Sequence, residues 1–148
     1  MIGAGVAGAE LAATAAEVGR RLAEAGAVVV CGGRGGVMEA AARGAAEAGG
    51  TVIGIVPSDD PADANPHCTH AVAAATGIAR NLAVVASGEA VIAIGGAWGT
   101  LSEIAHARQL GRPVIALGSW ELSLPAPGGD TQIKVASDPE AAVALALG

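Results

Sequence analysis

The chain has 148 residues, the length of one domain spanning 1–148, and a domain of this size buries roughly 70% of the surface its unfolded chain exposes. Hydrophobic residues make up 52% and charged residues 15%, which excludes a disordered tail, and the net charge of −6 argues against a partner with a long phosphate backbone. There are two Trp but no Phe or Tyr, so the stacking platforms of nucleic-acid modules are missing too.

Apolar spacing predicts a helix from Leu11 to Ala25, with Leu11, Ala15, Val18 and Leu22 on one face and Gly26 as its stop. Ala27 to Cys31 is an unbroken apolar run, as in a strand buried on both faces. A five-residue loop, Gly32 to Gly36, leads into a second helix from Val37 to Ala48. Thr51 to Val56 reads as the next strand, and Ser58 to Pro66 as a polar, Pro-containing loop. Thr69 to Ala74 reads as a weaker strand, and Thr76 stands where it would cap a helix over Gly77 to Ala86. Then come a strand at Ala90 to Ile94, a second glycine loop, a helix from Leu101 to Leu110 ended by Gly111 and Pro113, and a strand at Val114 to Leu117. A Pro- and Gly-rich loop runs to Thr131, and Ile133 to Ala136 reads as an edge strand. Asp138 as cap and Pro139 in the first turn open a last short helix. Strands alternating with helices at this spacing predict an α/β fold with an open, mostly parallel sheet, in which ligands bind beyond the carboxyl ends of the strands.

The 37 Ala and 23 Gly mean that this core needs backbones in close approach, and helices layered on a sheet of small-residue strands satisfy that. Cys31 and Cys68 make no CxxC and too few cysteines for a disulfide scaffold, so reduced thiols in a cytoplasmic protein are expected. The N-terminus has no signal-peptide pattern, and no apolar run reaches the ~18 residues of a membrane span.

Three glycine loops carry the candidate chemistry. Gly3-Ala4-Gly5-Val6-Ala7-Gly8 matches GxGxxG, but Cys31 ends the next strand where a dinucleotide site wants an acid, so a plain strand-to-helix turn is the simpler account. In Gly32-Gly33-Arg34-Gly35-Gly36-Val37-Met38, glycines admit close backbone approach to an anion and Arg34 adds a bidentate donor. Gly95-Gly96-Ala97-Trp98-Gly99-Thr100 supplies backbone donors and a hydroxyl, and Glu103 a carboxylate one turn on. Taken alone, Thr100 and Glu103 also fit a capping box that needs no ligand.

The last two loops together resemble the LOG-like (SLOG) family, also labelled lysine decarboxylase-like. It includes nucleoside-monophosphate phosphoribohydrolases, nucleotide nucleosidases and molybdenum cofactor carrier proteins. Its signature is PGGxGTxxE, with a functional Arg 15 residues upstream. Gly95 stands at the Pro, Gly96 and Ala97 at the two glycines, and Gly99, Thr100 and Glu103 match. Counting back 15 from Gly95 lands on Arg80, followed by Asn81 where the family often has Lys. The stretch Gly32 to Met38 is similar to the family's upstream GGxxGxM. The departures at Gly95, Ala97 and Asn81 look most like the molybdenum cofactor carrier branch. A pyridoxal-phosphate lysine decarboxylase is rejected, because Lys134, the single lysine, lies in the late edge segment.

The resemblance implies a Rossmann-like sheet with helices on both faces and a small phosphorylated, nucleotide-like ligand, of nucleoside monophosphate or molybdopterin type. Gly32, Gly33, Arg34, Gly35, Gly36, Met38, Gly95, Gly96, Ala97, Trp98, Gly99 and Thr100 would bind it. No cofactor is required; molybdenum cofactor would be bound cargo. Alternatively, the chain hydrolyses the N-glycosidic bond of a nucleoside 5′-monophosphate, with Glu103 stabilising the oxocarbenium-like sugar or activating water and Arg80 holding phosphate or ribose. Self-association as a homodimer or homotetramer is implied as well, and no nucleic-acid polymer or membrane partner is expected.

Weaker constellations have plain accounts. His67, Cys68 and His70 near Asp59, Asp60 and Asp63 do not have the spacing of a zinc site, and a polar loop explains them. Cys31 either faces the ligand or is a small buried hydrophobe. His106 either backs Glu103 or is a surface histidine. Trp98 either flanks the ligand or packs between subunits.

Overall fold

A computed structural model describes residues 1–122 and 133–148. Among the described residues seven strands form: β1 (Ile2–Gly3), β2 (Val29–Cys31), β3 (Val52–Val56), β4 (His70–Ala73), β5 (Val91–Ile94), β6 (Val114–Leu117) and β7 (Ile133–Ala136). Every pairing is parallel, in the orders β1-β5-β6-β7 and β2-β3-β4. The Met1 amino group donates to the Val30 carbonyl at 2.8 Å, which sets the first group of strands beside the second. Between them run α1 (Ala9–Glu24), α2 (Val37–Glu47), α3 (Arg80–Ser87), α4 (Trp98–Gln109) and α5 (Pro139–Leu147). This is the expected Rossmann-like α/β architecture, and the apolar runs Val29–Cys31, Val52–Val56 and Val114–Leu117 are its inner strands.

Alternation along β5 shows how the two faces are filled. Ile92 and Ile94 pack with Ala15, Val18 and Leu22 of α1, with α2 and with α5. Val91 and Ala93 pack with Val84 and Val85 of α3 and with Ile104 and Ala107 of α4. Helices therefore cover both faces, which is why these strands read as continuous apolar runs rather than alternating ones. From β1 the chain crosses over α1 to β2, and from β5 over α4 to β6, on the opposite side. The carboxyl ends of β1 and β5 thus border a topological switch point, where sheets of this kind open a crevice.

With no large aromatic rings to fill it, the layer between α1 and α2 closes by backbone contact. A Cβ on Gly19 would lie 2.1 Å from the Ala41 carbonyl oxygen, and one on Gly44 would lie 1.9 Å from that of Ala16. Gly44→Ala is expected to force the helices apart and cost about 2 kcal/mol, read as a lower urea midpoint at unchanged slope.

Some boundaries shift. β1 has only two residues, yet it pairs with β5 through Ile2↔Ala93 and Gly3↔Ile94. Thr76 makes no side-chain cap; a 3-10 turn over Gly77–Ala79 precedes α3, so the regular helix begins at Arg80. Asp138 caps α5 as expected, accepting from the Ala141 N–H at 2.9 Å. The Pro- and Gly-rich stretch up to Thr131 falls, over 123–132, outside the described residues.

Candidate functional site

All three glycine loops leave the carboxyl ends of their strands. Gly3 to Gly8 forms the β1–α1 turn. The loop after β2 packs on it: the Val37 N–H donates to the Ala4 carbonyl at 3.0 Å, and a Cβ on Gly36 would sit 2.4 Å from the same oxygen. Gly36 also has a φ of +68°, so no other residue fits there. Asn65 pins the loop from outside, its N–H donating to the Gly33 carbonyl at 2.8 Å and its Nδ2 to the Arg34 carbonyl at 3.1 Å. Nothing in the local sequence marks Asn65 for this role, because the contact joins residues about thirty apart. The Arg34 side chain is left exposed.

Arg80, the first residue of α3, lies beneath this loop and is 9% exposed. Its Nη1 donates to the Ile55 carbonyl at 2.7 Å and to the Gly32 carbonyl. The approach is possible because Gly32 has no side chain; a Cβ there would meet Nη1 at 2.1 Å and the Met38 sulfur at 2.6 Å. Arg80 Nε is buried without a partner among the described residues. Burial is the main force lowering the pKa of Arg80, the nearby positive charge of Arg34 adds to it, and Glu103 and Cys31 oppose it. The exposed Arg34 and the buried Arg80 guanidinium groups thus lie within electrostatic reach of each other, an arrangement that favours an anion.

Gly95-Gly96-Ala97 carries β5 into α4. Gly95 has a φ of +57° and Gly96 of +138°. Ala97, not Thr100, is the N-cap residue, and no side chain caps the helix. The capping box therefore does not form: α4 starts three residues earlier, which carries Thr100 and Glu103 inside the helix. Leu101 N–H is the donor that reaches back to the Ala97 carbonyl, so the amides of Trp98, Gly99 and Thr100 precede the helix ladder. Such an uncapped N-terminus offers donors and a positive dipole end to an anion. Residues after β6 brace the loop: Ser119 Oγ donates to the Gly95 carbonyl at 2.5 Å, and Trp120 Nε1 to that of Ala97 at 3.3 Å. Trp98, 77% exposed, stands against Trp120 with ring centroids 5.5 Å apart.

Glu103, 8% exposed, makes no hydrogen bond among the described residues. Burial pushes its carboxyl up to about 7, against the downward pull of the Met1 amino group and Arg80. A carboxyl of that kind exchanges a proton near neutral pH, as a general acid or base must. Glu103 and Arg80 thus sit within electrostatic reach, while Gly99 faces the Asn81 side chain. Arg80 meets the loop at 32–36 through Gly32 and its neighbour Asn81 lies beside Gly99, so both loops flank the start of α3.

The histidines and Thr69 serve other contacts, while Cys31 lies under the loop at 32–36. Thr69 Oγ1 is bonded to Val52 and His70, which ties β4 to β3, and no group of three metal-ligating side chains occurs among the described residues. His106 is partly buried, with Nδ1 unpartnered among the described residues. Cys31 is fully buried. A cavity of about 790 Å³ opens at the opposite end of the sheet, but apolar residues such as Val28, Val30, Ile53 and Val72 line most of it.

The model of the SLOG cluster4 family matches residues 1–143. The chain belongs to this family. Likeness to relatives and solved structures extends over most of the chain. An uncharacterized protein of Archaeoglobus fulgidus is 43% identical over 117 residues, covering 79% of this chain and 77% of its own length. The molybdenum cofactor binding protein of Rippkaea orientalis superposes with a TM-score of 0.86 at 34% identity, covering 97% of this chain and 91% of that one. The molybdenum cofactor carrier protein of Chlamydomonas reinhardtii does so with a TM-score of 0.80 at 29% identity, covering 97% and 89%. The fold is therefore shared, over 97% of this chain, with proteins named for binding or carrying the molybdenum cofactor.

Proposed function

We propose that this protein binds a small phosphorylated, nucleotide-like ligand in the crevice between the loops at 32–36 and 95–100, and that it acts as a carrier of the molybdenum cofactor type. In this reading the amides of Trp98, Gly99 and Thr100 and the guanidinium groups of Arg34 and Arg80 hold the phosphate. Gly32, Gly33, Gly35, Gly36, Gly95, Gly96 and Ala97 let the backbone approach it, and Met38 backs the loop. The likeness to two molybdenum cofactor proteins supports this cargo.

The observation that carries the choice of a carrier over a hydrolase is the backbone at Gly95. The family signature, kept more closely by phosphoribohydrolases than by the carrier branch, has Pro there, and proline is locked near −65°, whereas Gly95 has a φ of +57°. The loop therefore enters α4 along a path that the PGG motif cannot take, which supports binding without turnover.

One observation favours the second reading, a nucleoside-monophosphate phosphoribohydrolase: the buried Glu103 carboxyl, titrating at about 7 beside Arg80. Incubation with AMP, GMP, CMP and UMP, followed by analysis for free base and ribose 5-phosphate, separates the two. The carrier reading expects no release from the folded protein and a raised melting temperature with molybdenum cofactor. Release that disappears in Glu103→Gln overturns it in favour of the hydrolase.

A further inference from the structure

Cys31 and Cys68 are 37 positions apart in the chain, yet the sheet brings their sulfurs together. Cys31 ends β2 and pairs in register with Gly54 of β3, so side-chain positions at 31 and 54 lie on one face of the sheet. Neighbouring strands are about 4.8 Å apart. Gly54 has no side chain, and the space is filled by Cys68: a Cβ on Gly54 would lie 2.5 Å from the Cys68 sulfur. The Cys68 sulfur thus occupies the position beside Cys31 on that face.

Both sulfurs are held in place. Cys68 N–H donates to the Asn65 carbonyl at 3.2 Å, and the next residue, Thr69, is bonded to both the N–H and the carbonyl of Val52. The Cys31 sulfur accepts from the Gly33 N–H at 3.4 Å. The neighbouring Cys68 thiol is the main influence favouring the thiolate of Cys31, and Gly33, the Met1 amino group and Arg80 add to it against burial. The Cys68 thiol is pushed the other way, first by Cys31 and then by burial. The two sulfurs thus differ in proton affinity, Cys31 drawn down and Cys68 pushed up. Access differs as well, for Cys31 is fully buried while Cys68 is partly exposed.

We propose that Cys31 and Cys68 form an oxidisable dithiol, in which a small-molecule disulfide is attacked by the outer sulfur, Cys68, and the inner sulfur, Cys31, then closes an intramolecular disulfide across Gly54. The Cys31 thiolate takes the Cys68 proton as Cys68 attacks RSSR, giving a mixed disulfide at Cys68 and releasing RS⁻. That RS⁻ removes the proton from Cys31, and the regenerated thiolate attacks the Cys68 sulfur and expels the second RS⁻. The two thiols lose two electrons and RSSR gains them. Loss of the thiolate removes a negative charge that faces Arg80, so the dithiol reports to the loop at 32–36.

The test is treatment of the native protein with oxidised glutathione, followed by intact mass and thiol counting. The expected product is a monomeric chain that has lost two hydrogen atoms and both free thiols. Cys31→Ser is expected to stop at a stable glutathione adduct on Cys68, and Cys68→Ser to give no adduct, because the remaining sulfur is buried. Two thiols persisting in the wild type, a disulfide between chains, or a lasting adduct on wild-type Cys68 would overturn the proposal. The wild-type result decides the matter even if a serine variant fails to fold.

Discussion

Arg80→Ala is expected to lower the melting temperature by roughly 6–12 °C and to weaken binding of a phosphorylated ligand by more than tenfold. The stability loss comes from two carbonyls, Gly32 and Ile55, that the guanidinium satisfies from below the glycine loop. Left buried without a donor, each costs about 1–3 kcal/mol, and a total near 3 kcal/mol corresponds to that shift in a domain of this size. The binding loss has a separate cause, the removal of one of the two positive charges within electrostatic reach of each other. Arg34→Ala separates the two effects: its side chain is exposed and only its backbone is bonded, so binding is expected to fall while the melting curve stays in place. Thermal melts and titrations with AMP or molybdenum cofactor read both quantities. Unchanged affinity in folded Arg80→Ala would reduce Arg80 to a structural tie.

Glu103→Gln is expected to change how stability depends on pH. In the folded chain the carboxyl holds its proton up to about 7, whereas the ordinary value is 4.5. Between these two values the folded state binds more protons than the unfolded state, so stability falls as pH rises and levels off above about 7. The gap amounts to about 3 kcal/mol. Glutamine is neutral at every pH and nearly the same shape, so the variant loses this slope. It is expected to match the wild type at low pH and to exceed it by up to about 3 kcal/mol near pH 8, in urea titrations across that range. A phosphate bound nearby favours the protonated carboxyl, so wild-type affinity also declines above neutrality while that of Glu103→Gln does not.

Much of the architecture was legible because buried parallel strands leave a plain trace. Val52–Val56 and Val114–Leu117 are apolar runs bounded by Gly or Pro, and each is a strand where it was expected. Gly26 and Gly111, with φ of +78° and +70°, end their helices for the reason that made them readable as stops. The loops at 32–36 and 95–100 were legible as candidates, since glycine before a helix has a local purpose. What failed was also local: Thr100 and Glu103 fit a capping spacing, but the extended backbone at Ala97 starts the helix early. The supports of the site had no local trace. Asn65, Ser119 and Trp120 reach the loops only after β3, β5 and β6 have been laid side by side, and Cys68 meets Cys31 only because Gly54 leaves a vacancy on the intervening strand.

The tilted pair Trp98–Trp120 has a practical consequence. A chain without tyrosine has these two indoles as its whole complement of strong near-ultraviolet fluorophores. Both belong to one corner of the molecule: Trp98 opens the helix whose free amides face the crevice, and Trp120 grips the carbonyl just before it. Intrinsic emission from this protein is therefore a local signal. It registers the loop at 95–100 and is nearly blind to the rest of the sheet, so under the proposed function an unlabelled wild-type chain would carry its own optical gauge of ligand binding.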